Sequence, residues 1–247
     1  MRIFKTLLFL FLSVITILSF KTAEKVNIWM IGDSTMASKK PERAPESGWG
    51  VAMSDFAKAN AVIHNHAASG RSTKSYIDEK RWEAVCDSIK PGDYVIIQFG
   101  HNDEKPDSPL HTDPYTTYQQ NLKKFVEETR IKGGIPIICS SIVRRHFDGK
   151  GDLLNSHGEY INAARLIAEQ TQTSYVDMEA QTRQLISQLG SEKSKSLYTF
   201  CKPGEYKGRM KGVQDSTHLN NDGARQVAAL FVSEVKHLKL SLAKYLK

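Results

Sequence analysis

Short apolar runs alternate with stretches of helical periodicity between residue 24 and the carboxyl terminus. Short apolar runs that stop at Gly, Pro or polar turns are typical of buried strands, and apolar positions three or four residues apart are typical of helices. The predicted strands cover residues 26–31, 61–65, 94–99, 135–140 and 174–177. The predicted helices cover residues 49–59, 81–89, 115–132, 159–170, 178–189 and 222–242, the last of them capped by Asn220 or Asn221.

Strands that alternate with helices predict a parallel sheet covered by helices on both faces. We therefore expect an α/β fold: a three-layer α/β/α sandwich around a flavodoxin-like parallel sheet of five strands. No internal repeat, low-complexity tract or linker interrupts residues 24–247, which are expected to form a single domain. The segments that follow the strands would meet along one rim, where ligands bind in open α/β sheets. These rim segments are residues 32–37, 67–76, 100–103 and 141–147.

The first residues of the chain have a different pattern. Arg2 and Lys5 precede an apolar run from Thr6 to Phe20, which is short for a membrane span and has the flanks of a signal peptide. We expect a signal peptide over residues 1–23 and a secreted or periplasmic mature protein that has no membrane contact after cleavage. An uncleaved amino-terminal anchor is the alternative.

Basic residues outnumber acidic ones and give the chain a formal net charge of +7. They form no block, so the charge does not indicate a nucleic-acid partner. Several lie in the predicted rim segments or within three residues of one: Lys39, Lys40, Arg71, Lys74, Arg144 and Arg145. A basic rim would attract an acidic polymer, and the attraction would weaken as salt screens it. Each of these side chains could equally be an ordinary solvated surface charge.

The chain has three cysteines, Cys86, Cys139 and Cys201. Export would permit a disulfide, but an odd number leaves at least one thiol unpaired. Cys139 lies inside an apolar run, which favours a buried thiol. The spacing does not decide whether Cys86 and Cys201 form a pair.

A serine and a histidine lie where the predicted rim would bring them together. Ser34, in the Gly-Asp-Ser-Thr of residues 32–35, follows the first strand, and a serine hydroxyl becomes a good nucleophile only when a base removes its proton. The sequence Asp-Ser-Thr-His at residues 215–218 comes shortly before the last helix. A carboxylate at Asp215 can bond the Nδ1–H of His218, which leaves Nε2 free to act as the base. Each motif alone is also ordinary turn chemistry.

Hydrogen-bond donors for a developing oxyanion lie in the same rim segments. Gly70 offers a backbone N–H that a ligand can approach closely, Asn102 offers a side-chain amide, and the N–H of Ser34 is a third donor. Losing one such donor typically costs about 3–4 kcal/mol of transition-state stabilisation.

In this order and at these strand ends, the motifs resemble the SGNH (GDSL-like) hydrolases, whose blocks carry Ser, Gly, Asn and His. The matching stretches are residues 32–34, Gly70, residues 100–103 and Asp215 with His218. The resemblance implies the SGNH hydrolase fold and a catalytic set in which Ser34 is the nucleophile, His218 the base and Asp215 its orienting partner. It also implies an oxyanion hole formed by Ser34, Gly70 and Asn102.

A narrower resemblance is carried by residues 47–50, 65–76 and 98–103, which are similar to blocks of the rhamnogalacturonan acetylesterases. It implies an enzyme that removes O-acetyl groups from pectic polysaccharide and needs no metal or other cofactor. We expect a monomer that acts on an acetylated acidic polysaccharide or oligosaccharide. The candidate substrate-binding residues are Asp33, Trp49, Arg71, Lys74 and His101. Trp49 could be either a sugar-stacking wall or part of the core, and residues 193–210 match nothing in the family.

Other functions stay open at this point. A metal-dependent hydrolase could use His64 and His66, which point to one face of a strand, with His101 and Asp103 on the rim. A non-catalytic carbohydrate-binding protein would need no catalytic residues. Among esterases, the substrate could be xylan, another acetylated glycan or a lipid, although the polar, basic rim is unlike that of a lipase. The chain contains no Gly-x-Ser-x-Gly, so the strained elbow of the α/β-hydrolase fold is not expected.

Overall fold

The computed structural model describes residues 25–247, and the predicted signal peptide at residues 1–23 lies outside the described residues. The strands are β1 (Val26–Gly32), β2 (Ala61–Asn65), β3 (Tyr94–Gln98), β4 (Ile135–Cys139), β5 (Ser174–Val176), β6 (Tyr198–Cys201) and β7 (Val213–Leu219). The first five form a parallel sheet in the order β2-β1-β3-β4-β5. The last two form a separate antiparallel hairpin.

The helices connect these strands. They are α1 (Trp49–Phe56), α2 (Thr73–Asp78), α3 (Arg81–Cys86), α4 (Gln119–Ile131), α5 (Tyr160–Gln170), α6 (Met178–Lys193) and α7 (Asn221–His237). A π-helical turn, Pro114–Tyr118, leads into α4, and short 3-10 helices cover Pro41–Arg43, Ser194–Leu197 and Ser241–Tyr245. None of the helices in residues 25–247 combines the length and apolar character needed to cross a membrane.

Both faces of the sheet are covered, because alternate residues of a strand point to opposite sides. One face, which includes Ile28, packs against α1 and α7 through Trp49 and Phe231. The other face, which includes Trp29, packs against the helices α2 to α5 through side chains such as Phe125. The predicted three-layer sandwich with a five-stranded, flavodoxin-like parallel sheet is confirmed.

The strand order creates a topological switch point between β1 and β3, and ligands bind at such points in open α/β sheets. Gly32 at the end of β1 is paired with Gln98 at the end of β3. A Cβ at Gly32 would lie 2.6 Å from the Gln98 carbonyl oxygen, so the close approach of the two strands requires glycine. Ser34 and Asn102 follow these two strand ends and are therefore carried to the same rim.

The hairpin of β6 and β7 and the helix α2 are absent from the predicted elements. In β7 only Leu219 is fully buried, and its mostly polar, half-buried sequence has no apolar alternation. Helix α2 is only six residues long and begins with a reciprocal cap, in which the Ser72 side chain accepts from the Ser75 N–H while the Ser75 side chain accepts from the Ser72 N–H. Both elements are defined by contacts that a periodicity search does not detect.

The ends of the helices differ from the prediction by a few residues. Asn220 caps α7, and its side-chain oxygen accepts from the Gly223 N–H at 2.9 Å. Helix α6 continues past its predicted end through Gly190, whose φ of 69° introduces a kink. Cys139 is buried in β4 as predicted, and all three cysteines are free thiols.

Candidate active site

Ser34, His218 and Asp215 form a continuous hydrogen-bonded chain at the carboxyl edge of the sheet. His218 Nε2 lies 3.0 Å from Ser34 Oγ, and His218 Nδ1 lies 2.7 Å from Asp215 Oδ2. Ser34 lies in the turn after β1, whereas the other two residues lie on β7. Because 184 positions separate Ser34 from His218, the contact is made by the fold and not by local chain geometry. The arrangement allows the imidazole to accept the serine proton while the carboxylate holds the ring.

Asp215 also shapes the segment that carries it. Its Oδ1 accepts hydrogen bonds from the backbone N–H groups of Thr217 and His218, at 2.8 and 2.9 Å. Burial raises the pKa of this carboxyl, but the hydrogen bonds and charge of His218 and the Thr217 N–H outweigh it and hold the pKa below its ordinary value. The carboxylate therefore stays ionised and favours the tautomer with the proton on Nδ1, which presents an unprotonated Nε2 to Ser34.

The predicted oxyanion donors lie around one cavity with Ser34. Gly70 has a φ of +76°, in the region that favours glycine, and a Cβ there would meet nothing within 4 Å. The side-chain amide of Asn102 is held at both ends: Nδ2 donates to the Arg71 carbonyl oxygen at 3.0 Å, and Oδ1 accepts from Lys105 Nζ at 2.8 Å. The second N–H of the Asn102 amide is left for a ligand oxygen.

Asp103 joins the loop of Asn102 to the loop of Gly70. Its Oδ1 accepts from the Thr73 backbone N–H at 3.0 Å and from the hydroxyls of Thr73 and Thr112 at 2.5 and 2.9 Å. Burial is the dominant influence on this carboxyl and raises its pKa to about 7 in spite of these donors. The side chain is fully buried, so it acts by fixing the two loops and not by contacting a ligand.

Asp33 and His101 were predicted to contact the substrate, and this prediction is wrong because both are buried, at 0% and 2% exposure. Asp33 Oδ2 accepts from His101 Nδ1 at 3.2 Å, and Asp33 Oδ1 accepts from the N–H and hydroxyl of Thr35 at 2.9 and 2.8 Å. Burial lowers the pKa of His101, and the nearby charge of Asp33 opposes that shift. The pair instead supports the turn that carries Ser34.

Trp49 belongs to the core and does not form a sugar-stacking wall. Its side chain has no solvent exposure, it packs against Phe231, and its Nε1 donates to Gln98 Oε1 at 2.6 Å. Gln98 Nε2 in turn donates to Thr35 Oγ1 at 2.9 Å. The tryptophan therefore contributes to the support beneath Ser34. Of the two roles that the sequence left open for Trp49, the structure shows the one in the core.

The cavity next to Ser34 has a volume of about 530 Å³ and a basic lining. It is bordered by the site residues Ser34, Gly70, Asn102 and His218 and by the charged side chains Lys39, Lys40, Arg43, Glu46, Arg71, Arg81 and Lys105. Sequence reasoning did not identify Arg43, Glu46, Arg81 or Lys105. Lys105 had a detectable signal, since it lies two residues after Asp103 at the end of the third predicted rim segment.

Three of the predicted rim cations form hydrogen bonds or ion pairs with other groups of the protein. Arg145 is 9% exposed and donates to Ser194 Oγ and Ser216 Oγ, at 3.0 and 3.1 Å. Arg144 forms an ion pair with Glu104. Lys74 donates to the Pro109 carbonyl oxygen and is not among the residues lining the cavity beside Ser34. Arg71 lines the cavity and Lys74 does not, and contact of either side chain with a substrate stays a prediction.

The histidines considered as metal ligands lie in two different places: His64 and His66 lie beside Trp29, and His101 lies beside Asp33. His64 Nε2 lies 2.9 Å from Asn27 Oδ1 and its ring stacks on Trp29, while His101 pairs with Asp33 in another part of the fold. His66 lies at an angle against the Trp29 ring. Across residues 25–247, no group of three or more His, Cys, Asp or Glu side chains is arranged to hold a metal ion.

A parallel sheet in this order, with the serine, the histidine and the predicted oxyanion donors at its switch point, defines an SGNH-type hydrolase. The chain belongs to the GDSL-like lipase/acylhydrolase family, whose family model matches residues 30–226. The protein is therefore an ester-hydrolysing enzyme, and the family resemblance seen in the sequence motifs is confirmed.

Relatives of known or assigned activity align over most of the chain. Rhamnogalacturonan acetylesterase RhgT of Bacillus subtilis (strain 168) is 36% identical over 221 residues, which cover 90% of this chain and 94% of that protein. A rhamnogalacturonan acetylesterase of Emericella nidulans is 29% identical, with 84% of each chain covered. The narrower resemblance seen in the sequence is thus also confirmed.

Solved structures share the fold at low sequence identity. The protein YxiM of Bacillus subtilis superimposes with a TM-score of 0.73 at 23% identity, over 88% of this chain and 58% of that one. This chain thus spans just over half the length of YxiM. The acetylxylan esterase Axe2 of Geobacillus stearothermophilus superimposes with a TM-score of 0.61 at 19% identity, over 86% of this chain and 94% of that one.

Proposed function

We propose that the protein is a carbohydrate esterase that removes O-acetyl groups from an acidic, pectic polysaccharide such as rhamnogalacturonan. The observation that carries the proposal is the chain of hydrogen bonds from Ser34 through His218 to Asp215, next to a cavity with a basic lining. The relatives named as rhamnogalacturonan acetylesterases support the substrate class.

In the first half of the reaction, Ser34 Oγ attacks the acetyl carbonyl carbon while His218 Nε2 takes the hydroxyl proton. The resulting oxyanion accepts hydrogen bonds from the N–H groups of Ser34 and Gly70 and from the amide of Asn102. His218 then gives its proton to the sugar oxygen, the bond between that oxygen and the acetyl carbon breaks, and the sugar hydroxyl leaves. Ser34 is left acetylated.

In the second half, His218 takes a proton from a water molecule, and the hydroxide attacks the acetyl group on Ser34. The oxyanion forms again at the same donors. Its collapse breaks the bond to Ser34 Oγ, which recovers the proton from His218, and acetic acid departs and loses its proton to the solvent to give acetate. Throughout, the ionised Asp215 carboxylate stabilises the positive charge that the imidazole acquires.

The charges around the cavity favour an acidic substrate. Arg71 and Arg81 share the exposed partner Glu79, and Arg43 pairs with Glu46. Among the described residues, no carboxylate pairs with Lys40 or Lys105, although both border the cavity. Two cations without acidic partners beside the nucleophile suit the carboxylate groups of uronic acid residues next to the acetylated sugar.

The substrate class is tested by measuring acetate release from acetylated rhamnogalacturonan, acetylated xylan and a short-chain triglyceride in parallel. We expect the highest kcat/KM on rhamnogalacturonan and a decrease in that value, but not in the value for neutral xylan, as salt is raised. A preference for xylan would favour the alternative of a neutral-glycan acetylesterase, which the Axe2 structural likeness does not by itself support. Tight polysaccharide binding without acetate release would instead indicate a non-catalytic carbohydrate-binding protein.

The site of action is proposed to be the periplasm or the external medium, and the support is the signal-peptide pattern of residues 1–23. Amino-terminal sequencing of the protein recovered from each cell fraction tests this. A processed chain outside the cytoplasm is expected, and an unprocessed chain in the membrane fraction would favour the anchor alternative.

A further inference from the structure

Lys39 lies five residues after Ser34, and its side chain is almost entirely buried, with 6% exposure. Its ammonium group donates to the carbonyl oxygen of Ser34, to Ser69 Oγ at 3.1 Å and pairs with Glu46 Oε1 at 2.9 Å. An ammonium group has three N–H bonds, so each has an acceptor. One side chain thus connects the nucleophile's own residue to the loop that presents the Gly70 N–H.

Glu46 extends this connection to the segment that carries the histidine. Residue 46 makes an antiparallel backbone bridge with Asn220, and the Ser47 N–H donates to the Leu219 carbonyl oxygen at 2.9 Å. Leu219 directly follows His218. The Glu46 carboxylate, with 2% exposure, also pairs with Arg43 and Arg209.

We propose that Lys39 is a positioning residue for the esterase reaction: through Glu46 it holds the serine, the Gly70 loop and the strand of the histidine in mutual register. The proposal rests on the proposed esterase function. Burying an ion pair is costly in free energy, so its place next to the nucleophile is better explained by geometry than by stability. A displacement of about 1 Å between reacting groups can lower a rate about a hundredfold, so a tether of this kind affects the rate directly.

Removing Lys39 should not leave a buried charge without a partner, because Glu46 keeps both arginines. Removing the charge of Glu46 affects three ion pairs at once, while a glutamine there can still accept a hydrogen bond from Lys39. The two substitutions therefore separate stability from catalysis. Lys39→Met should cause the larger loss of kcat, and Glu46→Gln should cause the larger loss of thermal stability.

The experiment measures kcat, KM and the melting temperature of the full chain with p-nitrophenyl acetate, a small neutral ester that does not depend on recognition of a polysaccharide. Lys39→Met is expected to lower kcat by about 10- to 100-fold, with KM within about threefold of the wild-type value. Glu46→Gln is expected to lower kcat less and the melting temperature more. The controls are Lys123→Met and Glu127→Gln, which disrupt an exposed ion pair on α4 and should match the wild type.

Two results would overturn the inference. One is a Lys39→Met protein whose kcat stays within threefold of the wild type. The other is a decrease in kcat that is proportional to the decrease in melting temperature across the two variants, so that Glu46→Gln has both the lower kcat and the lower melting temperature. An inactive wild-type protein would contradict the proposed function itself and this inference with it, whereas an active wild type with an equally active Lys39→Met contradicts this inference alone.

Discussion

Lys105 Nζ donates a hydrogen bond to Asn102 Oδ1 at 2.8 Å. An amide has a donor end and an acceptor end, and only the donor end can stabilise an oxyanion. A cation at Oδ1 makes the reversed orientation of the Asn102 amide unfavourable, because that orientation would point two N–H groups at the ammonium. Lys105 therefore selects the orientation in which the amide can act on the substrate.

Replacing Lys105 by methionine should reduce kcat on p-nitrophenyl acetate by about three- to tenfold, and Asn102→Ala should reduce it by about a hundredfold or more. The neutral ester separates the orientation of the amide from any attraction between Lys105 and an acidic polymer. Steady-state kinetics of both variants, with Lys123→Met as the control, measure this. An unchanged kcat in Lys105→Met would mean that the Arg71 carbonyl alone fixes the amide.

Asp103 should make the protein less stable as the pH rises, which is the opposite of the usual effect of a carboxyl group. Its pKa rises from the ordinary 3.8 to about 7 on folding, so the protonated side chain favours the folded state. This stabilisation is fully present below pH 3.8 and is lost as the pH rises to about 7. Because one pKa unit corresponds to about 1.4 kcal/mol, the loss amounts to at most about 4 kcal/mol.

Urea unfolding of the wild type and Asp103→Asn between pH 4 and 8 tests this expectation. The free energy of unfolding of the wild type minus that of the variant should fall from pH 4 to 7 and then stay level. A difference that is constant across this range would show that Asp103 keeps an ordinary pKa in the folded protein.

Trp49→Phe should destabilise the protein without changing recognition of the substrate. The substitution leaves Gln98 Oε1 buried without its donor, which costs about 1–3 kcal/mol, and it removes part of the packing against Phe231. The free energy of unfolding and the KM for acetylated polysaccharide are the two measurements. A raised KM with unchanged stability would restore the role of a sugar-stacking wall.

Asp215→Asn should lower kcat by about a hundred- to ten-thousandfold, and His218→Ala should lower it further. The amide cannot favour the tautomer with the proton on Nδ1 as a carboxylate does. The wild type should also lose stability relative to Asp215→Asn as the pH falls below about 4, because the pKa of this carboxyl is depressed by folding. Kinetics at neutral pH and thermal unfolding between pH 2 and 6 measure the two effects, and a variant as active as the wild type would exclude a triad.

The parts of the site that sequence reasoning identified are those with a local signature. Ser34 follows a buried strand, so the apolar pattern places it at the edge of the sheet. Asp215 and His218 were identified by their three-residue spacing shortly before the last helix, although the strand that carries them was not predicted. The sheet could be predicted for the same reason, since its strands are buried on both faces and separated by helices of clear periodicity.

The remaining features depend on contacts between segments that are far apart in the chain. Trp49 is buried because α1 packs under α7, and nothing in residues 47–50 distinguishes this from an exposed aromatic wall. The β6–β7 hairpin pairs two short, half-polar segments, which lack the alternation of a typical strand. The roles of Lys39 and Lys105 are defined by their acceptors, and the sequence of a lysine just after a rim segment is the same whether it binds a ligand or another part of the protein.

The central claim is that Ser34 is the nucleophile of an acetylesterase, and acetate release from acetylated rhamnogalacturonan by Ser34→Ala tests it most directly. The control is Ser88→Ala, which removes an exposed hydroxyl at the end of α3. Ser34→Ala should fold like the wild type, with a kcat that is lower by about a thousandfold or more, while Ser88→Ala should keep full activity. A Ser34→Ala protein that releases acetate within about tenfold of the wild-type rate would contradict the account.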